Sequence, residues 1–180
     1  MNIVAIGAHP DDLEIFAYGF LAAASSRGDN LILGVATDGA AGGINQGAEL
    51  AKQRADEARD GLAALGTPTL LDLPDGQLAD APNARNHIKD FIRNAAPDLV
   101  ITHAPEDYHP DHRALSAYVR DAAGFICPVL FCDTLMGVGF TPDYYVDITP
   151  HFAAKQNAIM AHHSQDPSRF ASASAIMNRF

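Results

Sequence analysis

The stretch that decides the fold is Asn2–Asp12, NIVAIGAHPDD. Asn2–Gly7 is a short apolar run, too brief for a helix and bounded by polar and turn residues, so it reads as a buried strand. It runs straight into Ala8-His9-Pro10-Asp11-Asp12, where imidazole and carboxylates stand at the strand's carboxyl end. The same junction recurs at Leu99–Thr102, LVIT, which runs into HAPEDYHPDH, residues 103–112. Further strands are expected at Leu31–Ala36, Thr69–Leu73, Val129–Cys132 and Tyr144–Ile148. Helices are expected at Leu13–Arg27, Glu49–Leu65, Arg85–Ala95, His112–Ala123 and Phe152–His163; within the second, Ala51, Ala55, Ala58, Leu62 and Leu65 fall at helical spacing. Strands alternating with helices predict an α/β fold, a doubly wound, Rossmann-like three-layer α/β/α sandwich. Its mostly parallel sheet would have order 3-2-1-4-5 plus an edge strand. Such sheets bind ligands outside the carboxyl ends of the strands flanking the reversal, here the first and the fourth. Chemistry is therefore expected just after residues 7 and 102, where it is found.

The whole chain, residues 1–180, reads as a single domain, without internal repeats or a linker-like composition shift. Its 12 Lys and Arg against 22 Asp and Glu give a formal net charge of −10, which lacks the basic footprint of a nucleic-acid binder. Hydrophobic residues make up 48%, enough for a core, yet no run is long enough to span a bilayer. The N-terminus has no basic region ahead of a separate apolar one, so a cytoplasmic location is expected. Cys127 and Cys132 are too few for a disulfide framework and read as buried thiols.

Of eight histidines, four lie in the two strand-end loops, accompanied by Asp11, Asp12, Asp107 and Asp111. A catalytic zinc takes three protein ligands and keeps one open position. His9 and Asp12, three residues apart at a helix start, can face one point, and His112 can reach it from across the crevice. That leaves Asp11 as general base and His109 as general acid, with Asp111 close enough to orient it. A His₂Asp set equally suits ferrous iron. Each aspartate alone would more often be a helix cap. His103 either joins the ligands or simply packs at the end of its strand. His87 reads as solvated and His151 as a helix-start residue.

Together, AHPDDLE at 8–14 and HPDH at 109–112 resemble the LmbE/PIG-L family of zinc-dependent de-N-acetylases. Supporting matches follow in family order: TDGAAGG at 37–43, RADE at 54–57, LGTP at 65–68, LPDGQL at 73–78 and DITPHFAAKQNAIMAHHSQ at 147–165. The resemblance implies zinc on His9, Asp12 and His112, Asp11 as base, and His109, supported by Asp111, protonating the departing amine. It implies substrate contacts from Arg54, Asp75, Tyr108 and His162, and an N-acetylated amino-sugar conjugate as substrate. The chain departs from the family in two ways. Phe16, Ala17 and Tyr18 stand where relatives carry a glycine cluster, and the segment after the Ser164-Gln165 pair is short. Two other readings are a two-metal phosphoesterase recruiting His103, Asp38 or Asp107, and a non-catalytic sugar- or metal-binding protein. A homo-oligomer would have a candidate contact surface in Phe170, Ile176, Met177 and Phe180.

Overall fold

A computed structural model describes residues 1–135 and 139–179. The sheet has five parallel strands, β1 (Asn2–Gly7), β2 (Asn30–Thr37), β3 (Thr69–Leu73), β4 (Leu99–His103) and β5 (Val129–Cys132), in the order β3-β2-β1-β4-β5. β1 is central, paired with β2 from Asn2↔Asn30 to Gly7↔Val35 and with β4 from Ile3↔Leu99 to Ala5↔Ile101. The expected order holds. The expected sixth strand does not: 144–148 is irregular, and Tyr144, Tyr145 and Val146 are exposed. Their aromatic and β-branched composition suggested a strand, but that preference depends on context and does not by itself set one.

The alternation along β1 builds the two faces of the domain. Val4 and Ile6 enter one core with α3 (Ala84–Asn94) and α4 (Pro110–Ala123), through Ile88, Ile92, Leu115 and Val119. Ile3 and Ala5 enter the other with α1 (Tyr18–Ser26), α2 (Ala48–Leu62) and α5 (Phe152–Met160), through Leu21, Leu62 and Ala158. Each fully buried Leu or Ile contributes roughly 1.5–3 kcal/mol. Cys127 and Cys132 are free and half-buried, one beside each core. Among the described residues no helix is long and apolar enough to cross a membrane.

Two helical features were not foreseen. Leu13–Ala17 is a π-helical turn that precedes α1, where a continuous α-helix was expected. Such turns concentrate at functional positions. At the other end, α6 (Pro167–Met177) starts after Asp166, whose side chain accepts from the Arg169 N–H at 3.3 Å. Phe170 of α6 packs with Phe16 and Leu135 against Ile15, Ile159 and Ala171. It therefore faces its own core, whereas Ile176 is exposed; Phe180 of the expected contact surface lies outside the described residues.

Candidate metal centre and catalytic site

Because β1 and β4 are parallel neighbours, the loops after Gly7 and His103 leave the sheet side by side. The first turns tightly: Asp12 Oδ2 accepts from the His9 N–H at 2.6 Å, and a Cβ on Gly7 would lie 2.7 Å from Asp12 Cβ. The second is ordered by Asp107, whose Oδ1 accepts from the His109 N–H at 2.9 Å. His109 then caps α4, its Nδ1 accepting from the Asp111 N–H at 3.2 Å.

Three donor groups converge between the loops. His9 Nδ1 lies 3.1 Å from His112 Nε2 and 3.4 Å from Asp12 Oδ2, and His112 Nε2 lies 3.3 Å from Asp12 Oδ1. Ligands around a tetrahedral zinc with bonds of ~2.0–2.1 Å stand about 3.3–3.4 Å apart, so this spacing fits a single ion. The outer nitrogens are also served, as metal-bound imidazoles require. His112 Nδ1 faces Asp107 Oδ2 at 3.1 Å, and His9 Nε2 faces Asp111 Oδ2 and Asp75 Oδ1, each at 3.2 Å. His9, Asp12 and His112 are all buried.

Other groups of the same kind overlap this one, with His103 beside Asp12 and His112, His109 beside His9 and His112, and Asp75 and Asp111 beside His9. His103 is stacked on His112, ring centroids 3.7 Å apart, and its Nε2 lies 3.0 Å from both Asp12 Oδ2 and the Ala8 nitrogen. Asp38, considered for a second ion, instead organises a turn, accepting from the backbone N–H groups of Ala40 and Asp75.

The electrostatics follow from burial and crowding. Burial raises Asp11 to about 6, against the pull of the Arg54 guanidinium. Burial would also raise Asp12, but His112 and His103 hold it well below the usual carboxylate range. Burial lowers His112, and Asp12 and Asp107 more than offset this, carrying it to about 9. His109 is lowered by burial and then by its histidine neighbours. Asp11 stands at φ 120°, a conformation that disfavours side chains and concentrates at functional sites.

Arg54 is 3% exposed and not the surface helix charge that its spacing to Glu57 could suggest. It donates to Pro10 O at 2.7 Å, Gly39 O at 3.1 Å and Asp11 Oδ2 at 3.2 Å. The glycine-rich loop wraps it so closely that a Cβ on Gly42 would lie 2.1 Å from Arg54 Nη1. Asp75 accepts from the Ala41 N–H at 2.9 Å and reaches His9.

Two residues sit differently from their expected roles. The Asp111 carboxylate accepts from the N–H groups of Gly76 at 2.7 Å and Leu78 at 3.0 Å and faces His9. It thus clamps the loop after β3 to His9, while its backbone N–H donates to His109 Nδ1 and its charge partly offsets the lowering of His109. His162 does not line the cavity: it is 1% exposed, with Nε2 2.8 Å from Glu14 Oε1. Burial lowers its pKa, and Glu14 more than offsets this. The adjoining Ser164 donates to Glu57 at 2.5 Å, tying the C-terminal segment to α2.

Above the donors opens a cavity of about 390 Å³, lined by His9, Asp11, His109, Tyr108, Arg54 and Asp75 from the expected set. Tyr108 is 43% exposed at its mouth. Residues not foreseen complete it: Gln165, Leu135 and Phe170 from the C-terminal third, and Ile15 from the π-turn. Only Gln165 carried a signal, as part of the Ser-Gln pair.

The architecture is thus a doubly wound α/β domain with a buried His/Asp centre at its topological switch point. The chain belongs to the PIG-L family, described as GlcNAc-PI de-N-acetylase, whose model matches residues 4–123. It is 29% identical over 188 residues to the diacetylchitobiose deacetylase of Thermococcus kodakarensis, covering 92% of this chain and 70% of that one. The structure of the N,N'-diacetylchitobiose deacetylase from Pyrococcus horikoshii superposes with a TM-score of 0.83 at 25% identity, covering 99% of this chain and 75% of that one. The 4-carboxy-2-hydroxymuconate hydratase GalB from Pseudomonas putida superposes with a TM-score of 0.86 at 20% identity, covering 98% and 83%. That last likeness shows the fold alone, and its different chemistry shows that function must be argued from the site.

Proposed function

We propose that the chain is a zinc-dependent amidohydrolase that removes the N-acetyl group of an amino sugar or its conjugate, releasing acetate and a free amine. The observation that carries the reading is the convergence of His9 Nδ1, the Asp12 carboxylate and His112 Nε2 at 3.1–3.4 Å, with Asp11 and His109 beside them. Family membership and the named deacetylase relatives support it. His9, Asp12 and His112 would hold the ion; the donor set suits zinc and also accommodates ferrous iron or another divalent cation. When bound, a divalent cation polarises an amide carbonyl and makes water a stronger acid.

The protein's own groups supply the remaining steps. Asp11, raised to about 6, is ionised at neutral pH yet basic enough to take a proton from the attacking water. Arg54 fixes its carboxylate by a hydrogen bond and ion pair at 3.2 Å. An amine leaves poorly unless protonated, and His109 is the donor. Because its Nδ1 accepts from the Asp111 backbone, the neutral ring carries its proton on Nε2; the imidazolium acid forms when Nδ1 gives up that bond and takes a second proton. Arg54 and Asp75 would meet the sugar hydroxyls.

The testing experiment follows acetate and free-amine release from a panel of N-acetylated sugars, with the protein stripped of metal and then reloaded with zinc. Release that needs about one equivalent of zinc is expected. Activity on phosphate esters with near two equivalents would favour the phosphoesterase reading. Zinc binding without turnover on any substrate would favour the non-catalytic one.

A further inference from the structure

We infer that Phe16 is the residue that restricts the acyl group to acetyl, an inference that rests on the amidohydrolase reading above. The reacting amide must lie where His9, Asp12 and His112 converge, within reach of Asp11 and His109. The lining holds two separate groups of opposite polarity. Arg54, Asp75 and Gly42 lie together, and Phe16, Leu135 and Phe170 pack on one apolar cluster. An N-acyl amino sugar has the same division across its scissile C–N bond, with hydroxyls on the nitrogen side and hydrocarbon on the carbonyl side. Matching the two halves sends the sugar toward Arg54 and Asp75 and the acyl carbons toward Phe16.

The Phe16 ring stands edge-on to the imidazole pair, its centroid 5.5 Å from His103 and 6.0 Å from His112. These are contact spacings for perpendicular rings, so no gap separates Phe16 from the imidazoles. On this placement a methyl group on the carbonyl carbon would stop short of the ring, whereas a longer chain would run into it. The ring cannot easily withdraw. It is carried on the π-turn just beyond Asp12 and backed by Phe170 and Leu135, which pack with it on the cluster of Ile15, Ile159 and Ala171. Where it packs on that cluster, close contacts transmit a push and do not absorb it.

The test compares kcat/KM for N-acetyl-, N-propionyl- and N-butyryl-glucosamine in the wild type, Phe16→Ala and Phe16→Leu, each checked for zinc content and melting temperature. Acetate and butyrate binding to the zinc-loaded proteins is measured by calorimetry. The wild type is expected to favour acetyl. Phe16→Ala is expected to raise the butyryl-to-acetyl ratio by about tenfold or more, the scale on which a pocket discriminates one or two methylenes. Butyrate binding should tighten relative to acetate in parallel. Phe16→Leu should shift both in the same direction by less, and it carries the test if the alanine variant does not fold. An unchanged ratio, or an equal fall for all three substrates, overturns the inference while leaving the hydrolase reading intact. A zinc-loaded wild type inert toward every N-acyl sugar overturns that reading, and this inference with it.

Discussion

The carboxyl rim of the sheet and the C-terminal helices both bury charge, on opposite terms. At the rim, His9, Asp12, Asp107, Asp111 and His112 each face an oppositely charged or hydrogen-bonding neighbour within 3.4 Å. In α5, Lys155 is 2% exposed and its ammonium donates to the neutral amide of Asn178 at 2.7 Å. Burial lowers this lysine to about 8. Charges that face one another share the cost of leaving water and are set in place by it. Among the described residues the Lys155 ammonium faces a neutral amide, which leaves it to bear that cost largely alone. The rim therefore reads as built for chemistry, and Lys155 as a point where the fold carries avoidable strain on its stability.

The sharpest way to break this contrast is to remove one member of the rim. His112→Ala should lose zinc on dialysis and fall to background acetate release, as metal analysis and the release assay will read together. Zinc retained at the wild-type level would remove His112 from the ligand set. His109→Ala should keep its zinc while turnover drops by about 10²–10⁴-fold, the usual contribution of a placed acid–base group. Asp107→Asn keeps the shape but weakens the charge facing His112 Nδ1. Zinc affinity should fall about 10–100-fold, measured by competition with a chelator.

The smallest effect is expected at the other region and has the opposite sign. Lys155→Met should stabilise the fold at pH 7 by about 1–3 kcal/mol in denaturant melts. The folded lysine titrates at about 8, below its ordinary 10.5, so between those values the unfolded chain binds more protons. Wild-type stability should therefore rise through that interval, and Lys155→Met should flatten the slope. A destabilised methionine variant would mean that Lys155 and Asn178 form a favourable pair after all.

How far the sequence could be read follows the same division. Strand order was legible because β1 to β4 are short apolar runs separated by helices with caps and stops. The switch-point rule then placed His9 and His112 in one crevice before any contact was known. Asp111 was legible as a site residue beside His109, but its further contacts with Gly76, Leu78 and His9 were not, since they join positions far apart in the chain. The C-terminal third was read least well. Tyr144–Ile148 has strand composition but is irregular, with Tyr144, Tyr145 and Val146 exposed. Pro167–Met177 has a weak helical pattern because its most buried positions, Ala171 and Ser174, are small and one of them is polar. The π-turn itself left no mark in the residue spacing, yet it presents Ile15 and Phe16 to the cavity and Glu14 to His162.

The central position of β1 has a consequence for synthesis. Of the five strands of this sheet β1 is made first, yet it ends between two others, and its β4 edge waits for the segment that ends at His103. Throughout that interval an apolar ribbon with unsatisfied amides is available to the wrong neighbour. Non-local pairing of this kind is slow and exposed to aggregation, so yield in a recombinant host should respond to growth temperature and chaperone supply more than to codon choice.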